Sequence, residues 1–246
     1  MKKDIVVVHT SDVHVDHEYT ARQNGGDGAA PVRYVLNAAR EVGADLVLLC
    51  GDTFECHKVP LDLVARVGAL VREAGIPVVL LPGNHDPAHA EELTVWGPGG
   101  LTAVENLHII GVTHEEAVHF PHLDLEVWGR PHRDWGDMNP LETARARSTR
   151  WQIAMAHGHY DPVPDRRVWP RASWLIGDDE IAATGADYLA LGHWNRNIRV
   201  GKGAVPAWYS GSPDYARTVN VVRFGDNGEV SVDRHPLDIP FPPEGG

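Results

Sequence analysis

Through the first third of the chain, unbroken apolar runs alternate with stretches whose apolar residues recur at helical spacing. Residues 5–8 are all aliphatic and read as a short strand buried on both faces. Pro31 then opens a pattern that places Val32, Val35, Leu36, Ala39 and Val42 on one helical face, with Gly43 as its stop. Residues 46–50 are a second apolar run. Pro60 opens another helix, carrying Leu63, Val67, Leu70, Val71 and Ala74 at helical spacing and ending at Gly75. Residues 78–81 form a third run. This strand–helix–strand–helix–strand order predicts parallel strands joined by right-handed crossovers.

The second half is patterned differently. Residues 107–111, 118–120 and 123–128 read as strands with short connections, and 152–156 and 188–191 as two further buried strands. Residues 205–209, 219–224 and 230–234 follow as strands at hairpin spacing. The stretches 129–140 and 158–172, rich in proline, glycine and arginine, read as loops. The sequence holds no internal repeat, low-complexity tract or clear linker, so a single α/β domain over residues 1–246 with two packed sheets is expected, without a separate capping domain.

Candidate chemistry sits directly behind the buried runs. The first leads into His9-Thr10-Ser11-Asp12-Val13-His14, the second into Gly51-Asp52-Thr53-Phe54-Glu55, and the third into Gly83-Asn84-His85-Asp86. The run 152–156 ends in His157-Gly158-His159, and 188–191 in Gly192-His193-Trp194-Asn195. Strand ends along one edge of an α/β sheet open on a common crevice, where ligands bind. One Asp-x-His or one Gly-Asn-His-Asp alone would be an ordinary turn or helix cap. Five such segments, each behind a buried strand, point to one site.

The order Asp12-x-His14, Gly51-Asp52, Gly83-Asn84-His85-Asp86, His157 and Gly192-His193-x-Asn195 resembles the signature of calcineurin-like metallophosphoesterases. The resemblance implies an α/β/β/α sandwich, two mixed sheets flanked by helices. It also implies two divalent or trivalent transition metals, manganese or iron, with zinc as a further option. Asp12, His14, Asp52 and Asn195 would surround one ion. Asp52, Asn84, His157 and His193 would surround the other, with the Asp52 carboxylate bridging. His85 would face the substrate as general acid, with Asp86 orienting its ring. Where the family ends its last motif in histidine, this chain has Asn195, a weaker donor. One ion is therefore expected to be held more loosely, unless water, His17, His57 or His159 fills the position. The segment Trp208-Tyr209-Ser210-Gly211-Ser212-Pro213 is also similar to bacterial DNA-repair exonuclease subunits.

The chemistry is consistent with that resemblance. Oxygen and imidazole donors without thiolate suit manganese, iron or zinc. Two cations about 3.5–4 Å apart clamp the attacking and leaving oxygens of an in-line displacement and bring the pKa of a bound water toward about 7. A histidine whose unperturbed pKa is about 6.5 can protonate a departing alkoxide. Hydrolysis of a phosphomonoester or phosphodiester is the expected activity. The alternatives are an exonuclease-type phosphodiesterase on DNA or RNA, and a catalytically weakened scaffold of the same fold.

Composition narrows the partners. With 43% apolar and 23% charged residues the chain is globular. No run of eighteen uncharged apolar residues marks a membrane span, and the apolar stretch at the start is too short for a signal peptide, so a cytoplasmic location is expected. Cys50 and Cys56 form no disulfide framework, and Cys50 reads as a buried hydrophobe. A net charge of −12 disfavours non-specific DNA binding, while fifteen histidines fit a metal protein. Segment 130–171 carries eight arginines against five acids, interleaved with Trp135, Trp151 and Trp169. That mixture would suit phosphate recognition and base stacking. The plainer expectation is a solvated helix at 140–150 and ordinary core tryptophans. Trp194 and His159 are placed as substrate contacts beside the metals. The residues after Asn195 read as sheet-completing strands without room for a DNA-contacting domain. The expected substrate is thus a phosphate ester, either a small molecule or a single-stranded nucleic acid.

Overall fold

In the computed structural model, residues 4–16, 18–56, 59–88, 95–97, 99–115, 117–133, 138–142, 145–165 and 174–240 are described. The apolar runs of the first third become parallel neighbours: β1 (Ile5–Thr10), β2 (Leu46–Cys50), β3 (Val78–Leu81) and then β4 (Leu107–Ile109). Val8 lies opposite Val47, Leu48 opposite Val79 and Leu80 opposite Ile109. Further along come β5 (Ala117–Phe120), β6 (Leu125–Gly129) and β7 (Trp151–His157), and a small parallel pair, β8 (His159–Tyr160) with β9 (Leu175–Ile176). The chain continues through β10 (Tyr188–Gly192), β11 (Ile198–Val200), β12 (Ala207–Tyr209), β13 (Thr218–Phe224) and β14 (Val230–Pro236).

One six-stranded sheet has the order β14-β13-β1-β2-β3-β4 and the other β11-β12-β10-β7-β6-β5. Both are mixed, because β13 runs antiparallel to β1, and β5 antiparallel to β6. The helices are α1 (Glu18–Gln23), α2 (Ala30–Glu41), α3 (Leu61–Ala74), α4 (Asp178–Thr184) and α5 (Pro213–Ala216).

Burial on two faces explains why the strands read as unbroken apolar runs. Val6 and Val8 of β1 pack outward on Val32, Val35, Leu36, Val67 and Val71 of α2 and α3. Ile5 and Val7 point the other way, into a core shared with Leu125, Val127, Ile153 and Met155 of the second sheet. The outer face of that sheet places Ala154, Leu189 and Leu191 against Ile181 of α4. The layers run helix, sheet, sheet, helix, as the resemblance implies.

Two local expectations change. The described residues of 140–150 form no helix, and they lie in turns and extended chain. The reason is in the side chains: Arg130 pairs with Glu142, Arg147 with Asp187 at 2.6 Å, and Arg150 with Asp226 at 3.2 Å, so the segment is anchored outward to its neighbours. Within 158–172, His159 and Tyr160 are strand rather than loop. Trp135, Trp169, Arg166, Arg167 and Arg171, like His17 and His57, lie outside the described residues. Among the described residues, no helix is long and apolar enough to cross a membrane.

Candidate metal centre

The carboxyl ends of β1, β2, β3, β7 and β10 deliver their polar residues to one crevice. Several of those residues adopt a backbone that L side chains rarely take: Asp12, His14, Asp52 and His193 have φ of 52°, 49°, 51° and 102°. Each such conformation costs on the order of 1–3 kcal/mol and persists only where surrounding contacts over-determine it. Here a backbone ladder does so. The N–H of Asp12 donates to Gly51 O at 3.0 Å, His14 to Asp52 O at 3.1 Å, Val15 to Thr53 O at 2.9 Å, and Glu55 back to Val15 O at 2.9 Å. The His193 N–H donates to Asp12 Oδ2 at 2.9 Å, tying the far end of the second sheet to the first.

Close approach explains two glycines. A Cβ on Gly51 would fall 2.0 Å from His157 Nδ1, and one on Gly192 would fall 1.8 Å from Cys50 O. Only bare backbone lets the strand ends come this near.

Two donor sets emerge, each with its ligand atoms within 4.8 Å of one another: Asp12, His14 and Asp52, and Asp52, His157 and His193. Asp52 belongs to both. His157 Nδ1 donates to the Cys50 carbonyl at 2.9 Å, which turns Nε2 toward Asp52 Oδ2 at 3.1 Å and Asn84 Oδ1 at 3.2 Å. Carboxylate, amide oxygen and imidazole around a buried point are donors that fit a transition cation. Six of the seven expected ligands thus gather. Asn195 is exposed and lines the adjoining cleft with Asp12 and His14.

The electrostatics follow from burial. Burial works to raise Asp52, but the charge and hydrogen bond of His157 and the His85 N–H outweigh it and hold its carboxyl well below the usual range. His157 responds in the opposite sense: burial works to lower it, while Asp52 and then Asp12 lift it to about 9. Burial, then the charge of His157, pushes His193 down to about 3. Asp12 is raised, by burial first and, against the pull of His157, by the charge of Asp52. One carboxylate–imidazolium pair occupies the centre, with a neutral histidine beside it.

The family described as calcineurin-like phosphoesterase matches residues 5–197. The chain belongs to the calcineurin-like phosphoesterase family. Among curated relatives of this phosphoesterase, the SbcD component of the SbcCD nuclease of Bacillus subtilis is 24% identical over 260 residues, covering 88% of this chain. The chain spans 65% of that relative's length. The DNA double-strand break repair protein Mre11 of Aeropyrum pernix is 33% identical over 93 residues, 36% of this chain and 23% of that protein. The structure of TT1561 of Thermus thermophilus superposes with a TM-score of 0.59 at 12% identity, covering 94% of this chain and 99% of that one. The NAD nucleotidase NadN of Haemophilus influenzae gives 0.56 at 14% identity, covering 96% and 56%. These two likenesses show the shared fold.

In this calcineurin-like phosphoesterase Asp86 does not take the place expected of it. Its buried carboxylate accepts the backbone N–H groups of Thr53 at 2.8 Å, Phe54 at 3.1 Å and Gly83 at 2.7 Å. It knits the β2 loop to the β3 loop, and burial, then the charge of Asp52, pushes it up to about 7. The ring of His85 is held instead by Glu55, whose carbonyl lies 2.7 Å from Nδ1. His159 accepts the indole N–H of Trp194 at 3.0 Å, and Trp194 stacks on Tyr209 at 4.5 Å, so both belong to a braced wall beside His193.

Sequence reading passed over Glu55 and His132. His132 is fully buried behind the centre, its Nε2 2.8 Å from His157 O. It follows β6 in the pattern of the other strand ends, and the intervening Arg-Pro disguised it as loop.

Proposed function

We propose that the chain is a metal-dependent phosphoesterase that hydrolyses a phosphate ester over a pair of divalent cations. The observation that carries this reading is the sharing of Asp52 between two donor sets. Asp12 and His14 with Asp52 would hold one cation; Asn84, His157 and His193 with Asp52 would hold the other. Bound there, the cations would supply a water of lowered pKa and neutralise the phosphate charge.

The remaining work falls to the chain's own side chains. His85 lines the cleft of about 340 Å³ that opens beside Asp12 and His14, and protonates the departing alkoxide from its outward nitrogen. The buried Asp86 keeps the β2 and β3 loops in register, so that Asp52 and Asn84 face the same point. Manganese and iron suit this donor set, with zinc as a further option.

A second, narrower reading is a phosphodiesterase acting on nucleotides or single-stranded nucleic acid. Exposed Tyr19 and Tyr215 line the same cleft, and Arg196 and Trp194 line its continuation past Asn195. Aromatic faces with one cation fit a base and its neighbouring phosphate. Two relatives carry nuclease or DNA-repair names, which agrees with this reading.

The test is hydrolysis of p-nitrophenyl phosphate, bis-p-nitrophenyl phosphate and labelled single-stranded DNA, each with manganese. Turnover that His85→Ala reduces by at least a hundredfold, with metal content unchanged, is expected. Metal-loaded protein inert on all three would overturn the reading in favour of a scaffold.

A further inference from the structure

Glu55 stands between the two histidines nearest the cleft and touches both, through different atoms. Its carboxylate Oε2 lies 2.7 Å from His14 Nδ1. Its backbone carbonyl lies 2.7 Å from His85 Nδ1. The rings of His14 and His85 meet edge to face, 5.0 Å between centroids. We propose that Glu55 is a positioning residue that sets the tautomers of His14 and His85 together. The inference rests on the reading of His14 as a cation ligand and of His85 as the proton donor.

The argument is one of donors and acceptors. A carbonyl oxygen can only accept, so His85 Nδ1 carries a hydrogen and its Nε2 is the atom that gains or loses the mobile proton. A carboxylate likewise only accepts, so His14 Nδ1 carries a hydrogen and its Nε2 lone pair is left for the set formed with Asp12 and Asp52. A histidine that ligates through one nitrogen is commonly oriented by a carboxylate on the other, and loss of that partner lowers metal affinity.

Glu55 can serve both rings because its own backbone is fixed. Its N–H donates to Val15 O at 2.9 Å, and the preceding Phe54 is fully buried, with its N–H on Asp86 at 3.1 Å. Side chain and main chain therefore act separately. Removing the carboxylate releases His14 and leaves the carbonyl that holds His85.

The test is long-range proton–nitrogen correlation on 15N-labelled, metal-free protein, together with Mn²⁺ affinity from chelator competition. In the wild type both rings show hydrogen on Nδ1 and none on Nε2 in their neutral form. In Glu55→Ala, His14 becomes a mixture of tautomers while His85 is unchanged, and the Mn²⁺ affinity of the weaker step falls about 10–100-fold. Glu55→Gln, which keeps an acceptor oxygen and the side-chain shape, retains the His14 tautomer in part and loses less affinity. Hydrogen on Nε2 of His14 in the wild type would overturn the proposal. So would simultaneous loss of both tautomers in Glu55→Ala, since the side chain would then merely hold the loop. A wild-type protein that takes up no Mn²⁺ would count against the metal reading itself, and the tautomers would still decide the role of Glu55.

Discussion

His157 Nε2 lies 3.1 Å from Asp52 Oδ2, with both side chains buried and the imidazole raised to about 9. Without metal the two form an ion pair at the point where both donor sets meet. A ligating imidazole must be neutral. Below about pH 9, uptake of a cation at this ring therefore expels a proton, and affinity rises with pH until about 9, then levels. Calorimetry in two buffers of different ionisation enthalpy should show close to one proton released from His157 near pH 7.

The same raised value bears on folding of the metal-free protein. Its stabilising contribution is complete below the unfolded value of about 6.5 and is lost as pH rises through about 9. Denaturation midpoints of metal-free protein should fall between those limits, and in His157→Gln that fall should be much reduced.

Asp86 makes its contribution through structure. Asp86→Asn puts an NH₂ group among three N–H donors, leaving at least one of them without an acceptor. A loss of about 2 kcal/mol is expected from urea unfolding. If Asp86 acted only on the His85 ring, stability would stay unchanged and only turnover would fall.

Gly192→Ala should be among the most damaging small substitutions. The added methyl would press on Cys50 O and, at 2.7 Å, on His157 Nδ1, and neither can retreat far because both lie at fully buried strand ends. Destabilisation of about 3 kcal/mol, with weakened Mn²⁺ uptake, is expected from unfolding and chelator titrations.

Asn195→His tests the departure from the family pattern. Placing an imidazole beside Asp12 and His14 should tighten the weaker of two Mn²⁺ steps by on the order of tenfold, about 1.4 kcal/mol, and leave the tighter step alone. Equal affinities in the two proteins would show that Asn195 does not limit the site.

The sandwich was legible because strands buried on both faces leave a plain signal, as in residues 5–8 and Leu46–Cys50, and each is followed by its donors. What the sequence could not show is which side of a residue faces the site. Asp86 follows His85 directly, yet its carboxylate turns to the backbone of the neighbouring loop. Glu55 gives no pattern at all, since its role depends on a ladder between two loops about forty residues apart. The arginines of 130–150 suggested phosphate contacts; in the fold Arg130, Arg147 and Arg150 pair with Glu142, Asp187 and Asp226. Charge composition alone does not reveal pairing with acids distant in sequence.

Titration of metal-free protein with Mn²⁺, followed by calorimetry, bears most directly on the shared position of Asp52. Two cations bound per chain, and loss of both steps in Asp52→Asn, is the expected result. No saturable uptake by the wild type, or two undiminished steps in Asp52→Asn, would contradict it.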